Sequence, residues 1–147
     1  MQMSSMPIAV LMQRRAVQHR WIDSAWSATG VVSNHAGVVQ AQMIEDTPQS
    51  TTWLIPGSTL SLYLDENDGY FENWIAPEPK VFIMWRVEEG NARPITVSVS
   101  YGEGTRMMDS GESADGVMMP PDIHAWLGQY LQEHYKPRQS GRMRREK

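Results

Sequence analysis

The stretch Val81-Phe82-Ile83-Met84-Trp85-Arg86-Val87-Glu88-Glu89-Gly90-Asn91-Ala92-Arg93-Pro94-Ile95-Thr96-Val97-Ser98-Val99-Ser100-Tyr101 alternates with a period of two on both sides of a polar, glycine-bearing centre. Side chains of a strand point to its two faces in turn. Val81, Ile83, Trp85 and Val87 therefore share one face, and Phe82, Met84, Arg86 and Glu88 the other. Glu89 to Ala92 has the chemistry of a turn, after which Ile95, Val97, Val99 and Tyr101 alternate with Thr96, Ser98 and Ser100. Two such runs joined by a short polar turn predict an antiparallel β-hairpin. Its second strand is expected to turn the hydroxyl face to water. Its first strand is apolar on both faces at the centre, which places it inside a sheet or beneath a helix.

Upstream, Leu60, Leu62 and Leu64 alternate with Ser61 and Tyr63, Asp65 to Gly69 reads as a turn, and Tyr70, Phe71, Trp74 and Ile75 resume the apolar pattern. Residues 7–17 and 22–32 read as strands, 38–44 and 51–54 as weaker ones, and 45–50 as a loop. Strands at short spacing with no helical pattern between them favour an antiparallel meander. Downstream the period changes. Pro120-Pro121-Asp122 is a helix start, with proline in the first turn and an acid near the positive end of the helix dipole. Ile123, Trp126, Leu127, Tyr130, Leu131 and Tyr135 then recur at spacings of three and four, an amphipathic helix of about four turns. Between hairpin and helix, residues 103–110 suit a short helical turn, and 111–116 an acidic, flexible connection.

These readings predict a mainly β domain with a C-terminal α-helix. The architecture expected is an antiparallel barrel or curved sandwich capped by one helix, in a pleckstrin-homology-like order of strands first and helix last. The domain is expected over residues 7–137, after a flexible N-terminus at 1–6 and before a disordered basic tail at 138–147. The helix face of Ile123, Trp126, Leu127, Tyr130 and Leu131 is expected to dock on Phe82 and Met84, with Trp126 as the main anchor.

The 147 residues contain no cysteine, which excludes disulfides, thiolate metal sites and a cysteine nucleophile. No apolar run approaches the roughly 18 residues of a membrane-spanning helix. Arg14-Arg15 is followed by polar residues, not by the apolar segment of an export signal, so the expected location is cytoplasmic. Residues 136–147 hold six basic side chains against one acid, a net of +5, which leaves −9 on the remainder of a chain whose total is −4. An acidic body repels polyanions, and nucleic acid is not an expected partner.

Motif chemistry is sparse. His19, His35, His124 and His134 lack the short spacing of chelating pairs, so no metal and no cofactor are expected. Asp65-Glu66-Asn67-Asp68-Gly69 begins like a calcium loop, but its glycine comes one position early and Ala76 stands where the bidentate glutamate belongs. Gly102-Glu103-Gly104-Thr105-Arg106 lacks the lysine of a phosphate loop, and a nucleophile elbow Gly-x-Ser-x-Gly is absent. No catalytic residues are therefore assigned, and an enzyme is not expected. Methionine suits adaptable contact surfaces, and Met107, Met108, Met118 and Met119 lie outside the periodic faces. These four are the candidate partner-binding residues.

Five stretches taken together resemble an uncharacterised bacterial family of small proteins, a domain of unknown function: Ala9 to Arg15, Pro77 to Arg86, Val97 to Tyr101, Arg106 to Asp109 and Met119 to Ile123. That family is encoded beside formate dehydrogenase subunits and a twin-arginine-type chaperone. The resemblance implies a non-enzymatic accessory protein for assembly, maturation or regulation of a molybdenum- or tungsten-dependent formate dehydrogenase, acting by binding a subunit or maturation factor. The alternative is a small-ligand or cofactor-binding barrel in the same pathway. A deep cavity lined by tryptophans would favour the ligand binder, and a filled interior with an exposed methionine patch the partner binder.

Overall fold

The structure is a computed structural model that describes residues 1–19 and 22–136. Two antiparallel sheets face one another. The larger has the order β2-β1-β4-β3, with β1 Gln2–His19, β2 Ile22–Ser33, β3 Gln42–Asp46 and β4 Ser50–Tyr63. The smaller has the order β6-β5-β7, with β5 Lys80–Glu88, β6 Asn91–Ser98 and β7 Ser113–Met118. The sheets do not close into a barrel, so the architecture is a curved sandwich. One seam between them is pinned by a single carboxylate. Asp115 Oδ2 on β7 accepts from the Ala28 amide of β2 at 2.9 Å and from Trp85 Nε1 at 2.8 Å.

The expected hairpin is present as β5 and β6, paired in register from Phe82–Ser98 to Glu88–Asn91. Val81, Ile83 and Trp85 enter the core with Met6, Ile8, Val10 and Met12 of β1 and Leu60 and Leu62 of β4. The segment expected to be a flexible N-terminus is strand from Gln2 onward. Met6 is buried, because β1 pairs with β4 from Gln2–Tyr63 to Arg15–Ser50. The basic tail lies outside the described residues. β4 runs unbroken through Pro56-Gly57 because the register shifts there, and Gly57 takes a φ of 104° that a side chain would disfavour.

Three further expectations fail. The turn expected at 65–69 and the strand pattern expected to resume at Tyr70 are instead one 3₁₀ turn at Leu64–Glu66 and helix α1 (Asn67–Trp74). The helical turn expected at 103–110 is present as α2 (Tyr101–Met108), but with α1 it interrupts the strands, so the order of strands first, helix last does not hold. Of the connection expected to be flexible at 111–116, residues 113–116 belong to β7 (Ser113–Met118), paired with β5.

Helix α3 (Pro121–His134) occurs where the period predicts it, but it does not dock on Phe82 and Met84. Phe82 points away from the core side of β5 and is covered by α2. A Cβ on Gly104 would lie 2.5–2.6 Å from the Phe82 ring, so only glycine lets the two surfaces meet. On that same face Ser98 and Ser100 are buried, contrary to the expected wet hydroxyl face, because they build the start of α2. The Ser100 side chain accepts from the Glu103 amide and donates to Glu66 Oε1 at 2.6 Å, while Ser98 Oγ donates to Glu103. Helix α3 instead sends Ile123, Leu127, Tyr130 and Leu131 into the common core. Trp126 is not the main anchor. It is partly buried, and its indole N–H donates to Ser4 Oγ at 3.2 Å, whereas Ile123 and Leu127 are wholly buried.

These contacts give the molecule two ends. At one, α1 and α3 sit beside Ser4, Ser33 and Tyr63, the strand termini of the larger sheet. At the other, β1, β2 and β4 meet the tip of the β5–β6 hairpin around Trp26, Trp53 and Asn91.

Candidate functional site

The four methionines do not form one surface. Met107 and Met119 are 7% and 6% exposed, while Met108 and Met118 are 47% and 79% exposed. Sequence neighbours point about 100° apart on a helix and to opposite faces of a strand. One member of each pair therefore turns inward as the other turns out. Met107 and Met119 are core residues, and the expected patch reduces to two separate exposed side chains.

A groove of about 780 Å³ lies between α1 and α3. Its floor is made by Phe71 and Trp74 of α1 with Leu131 of α3 and Tyr135 just beyond it, and Ala125, Gln132 and Glu133 line it further. Phe71 and Trp74 are three residues apart and so lie on one face of α1. Gly128 of α3 makes the close approach: a Cβ there would stand 2.9 Å from the Trp74 indole. The two helices are then tied at both ends. Trp74 Nε1 donates to the His124 carbonyl at 3.0 Å, and His124 Nε2 lies 3.0 Å from the Trp74 carbonyl, with the two rings stacked at 4.9 Å and 6°. At the other end Tyr130 Oη donates to Asn67 Oδ1 at 2.6 Å, Asn67 Nδ2 donates to the His134 carbonyl at 3.0 Å, and Tyr135 Oη donates to Asp68 at 2.8 Å. Burial raises the Tyr130 phenol above its ordinary value, and burial likewise raises Tyr70, whose oxygen accepts from the Tyr63 amide at 2.9 Å. Both remain neutral hydrogen-bonding groups at physiological pH.

The groove is thus preformed and rigidly walled, with aromatic surface facing outward. Of its lining residues only Glu133 is charged, with the amides of Gln129 and Gln132 beside it. Chemically this suits the capture of an apolar segment.

The histidines are dispersed. His35 lies 3.9 Å from Asp122, His134 lies 3.8 Å from Glu133, His124 is stacked in the helix pair, and the His19 side chain is outside the described residues. Among the described residues no three His, Cys, Asp or Glu side chains converge as a metal cluster. The polar group Glu66, Ser98, Ser100 and Glu103 reads as the α2 cap, extended by Arg106 Nη2 at 3.4 Å from Glu66 Oε2. The middle of the space between the sheets is packed by core side chains, Trp85 among them.

Residues 7–145 match the family described as protein of unknown function DUF3305. The chain belongs to this family. Neither the curated proteins nor the solved structures contain a match. No helix among the described residues is long and apolar enough to cross a membrane.

The groove was not legible beforehand, because one wall is α1, read as turn and strand. The spacing of Phe71, Trp74 and Ile75 was the available signal, since apolar residues three and four apart describe a helix face and not a strand.

Proposed function

We propose that this member of the family is a non-enzymatic accessory protein that acts in the cytoplasm by holding a partner protein in the α1–α3 groove. The supporting observation is the groove itself, an open apolar surface of Phe71, Trp74, Leu131 and Tyr135 edged by Gln129, Gln132 and Glu133. Exposed apolar surface of this kind marks interaction sites. The partner proposed is a subunit or maturation factor of a molybdenum- or tungsten-dependent formate dehydrogenase, in assembly, maturation or regulation. That identity rests on the sequence resemblance.

The test compares the wild-type chain with Ala125→Arg as baits in native lysate at low salt. Ala125 is exposed on the groove wall, so arginine there obstructs the opening and offsets the Glu133 charge without touching the core. Recovery of a formate dehydrogenase component by the wild type and its loss with Ala125→Arg is the expected result. Equal recovery by both baits moves the interface elsewhere, and recovery by neither overturns the partner.

A further inference from the structure

At the opposite end of the sandwich is a second cavity, of about 270 Å³. One side is formed by Trp26, Trp53 and Ile55 of the larger sheet, the other by Asn91, Ala92 and Arg93 of β6. The two indoles arrive from strands on either side of β1, where Arg14 stands opposite Trp26 and Met12 opposite Trp53. Their centroids are 5.3 Å apart at 33°, and the Arg14 guanidinium carbon lies 5.6 Å from one and 5.3 Å from the other.

Two features separate this arrangement from ordinary packing. Trp26 and Trp53 remain partly exposed at an opening, although Trp85 shows that the core accommodates the same side chain. Also, Arg14 has no ion-pair partner among the described residues. The acids of the neighbouring strand β3 are engaged by threonines, Asp46 with Thr51 at 2.9 Å and Glu45 with Thr52 at 3.3 Å. Arg93 forms an exposed ion pair through Nη1 with Glu88 Oε1 at 3.1 Å, which leaves most of its five donors available. The cavity therefore combines flat apolar faces with a guanidinium at its rim, that of Arg93, whose donors are only partly used.

We infer that this mouth is a binding site for a small aromatic anion, such as an aromatic carboxylate. The indole faces and Ile55 take the flat body. Arg93 takes the carboxylate by the two-pronged geometry that a guanidinium offers, and the Asn91 amide adds a donor beside it. Arg14 holds the two indoles from behind and adds positive potential. The volume limits the ligand to one ring or a fused pair. This site lies at the other end of the molecule from the groove and does not depend on the function proposed for it.

The experiment titrates the full-length protein with 2-naphthoate, and separately with neutral 2-naphthamide, while following the tryptophan indole N–H resonances assigned with Trp26→Phe and Trp53→Phe. The expected result is a saturable shift at Trp26 and Trp53. Naphthoate should bind at least about tenfold tighter than the amide, the scale of one charge-assisted hydrogen bond. Arg93→Gln, an exposed change, should erase that preference, Trp53→Ala should weaken both ligands, and Ala125→Arg should alter neither. Equal affinity for the two ligands, shifts confined to Trp74, or no saturable shift would each overturn the assignment.

Discussion

Asn73 is wholly buried at the end of α1 and bonds to two distant segments of backbone at once. Its Nδ2 donates to the Lys80 carbonyl at 2.7 Å and to the Val99 carbonyl at 2.9 Å, and its Oδ1 accepts from the Lys80 amide at 2.9 Å. Lys80 opens β5 and Val99 follows β6, so one side chain joins the helix layer to both strands of the hairpin. Replacement by alanine strands three backbone groups. Each loses a bond worth about 1 kcal/mol net, and a buried polar group left unpaired costs about 1–3 kcal/mol. Partial relaxation toward water will recover some of this, so Asn73→Ala should destabilise by about 3–5 kcal/mol. Asn73→Asp tests the reasoning more sharply, because the shape is kept while the donor toward two carbonyls becomes an acceptor. Burial and the facing carbonyls disfavour the charged carboxylate, so its folded pKa must lie above the unfolded value of about 3.9. The sign follows: the penalty is full at neutral pH and shrinks as pH falls through the raised folded value, where the protonated acid donates to one carbonyl. The assay is urea denaturation followed by tryptophan fluorescence, with wild type measured at each pH. An Asn73→Ala loss below about 1 kcal/mol, under one bond's worth once orphaning is counted, would refute the account. So would an Asn73→Asp deficit no larger than that of alanine at pH 7, or one that does not shrink on acidification.

Gly104→Ala should cost about 1–3 kcal/mol by overpacking against the Phe82 ring, and combining it with Phe82→Leu should cost less than the two changes summed, measured as a double-mutant cycle. Leu127→Ala should cost about 2–5 kcal/mol and exceed Trp126→Ala, reversing the order expected from the helix pattern alone, while the exposed Gln132→Ala should stay within about 0.5 kcal/mol. Tyr70 and Tyr130 have folded phenol values raised by burial, so the unfolded chain ionises first. Stability should hold below about pH 10 and fall as pH rises above it. Tyr70→Phe should begin about 1 kcal/mol less stable at pH 7, having lost the acceptor for the Tyr63 amide, and then lose less on alkaline titration.

What could be read from sequence was whatever local periodicity controls. The β5–β6 hairpin is legible because Val81, Ile83 and Trp85 must share a face whatever lies against them, and α3 is legible because Pro120-Pro121 and a threefold-to-fourfold apolar spacing act within one segment. What those faces meet was not legible. Phe82 and the α3 face are both apolar, yet Phe82 belongs to α2, since Gly104 makes room for its ring. Helix α1 shows the reason most clearly. It contains Asn67, Asp68, Gly69 and Asn73, residues that favour turns because their short polar side chains or bare backbone suit local bonds. Here those polar side chains are used at long range instead: Asn67 reaches the carbonyl of His134 and Asn73 those of Lys80 and Val99. The composition that weakens the helix in isolation is what fastens it in the fold. A helix held in this way has no local reason to exist apart from α3 and the hairpin. The groove is therefore a property of the assembled core, and a substitution at Asn73 should loosen the groove along with the fold that carries it.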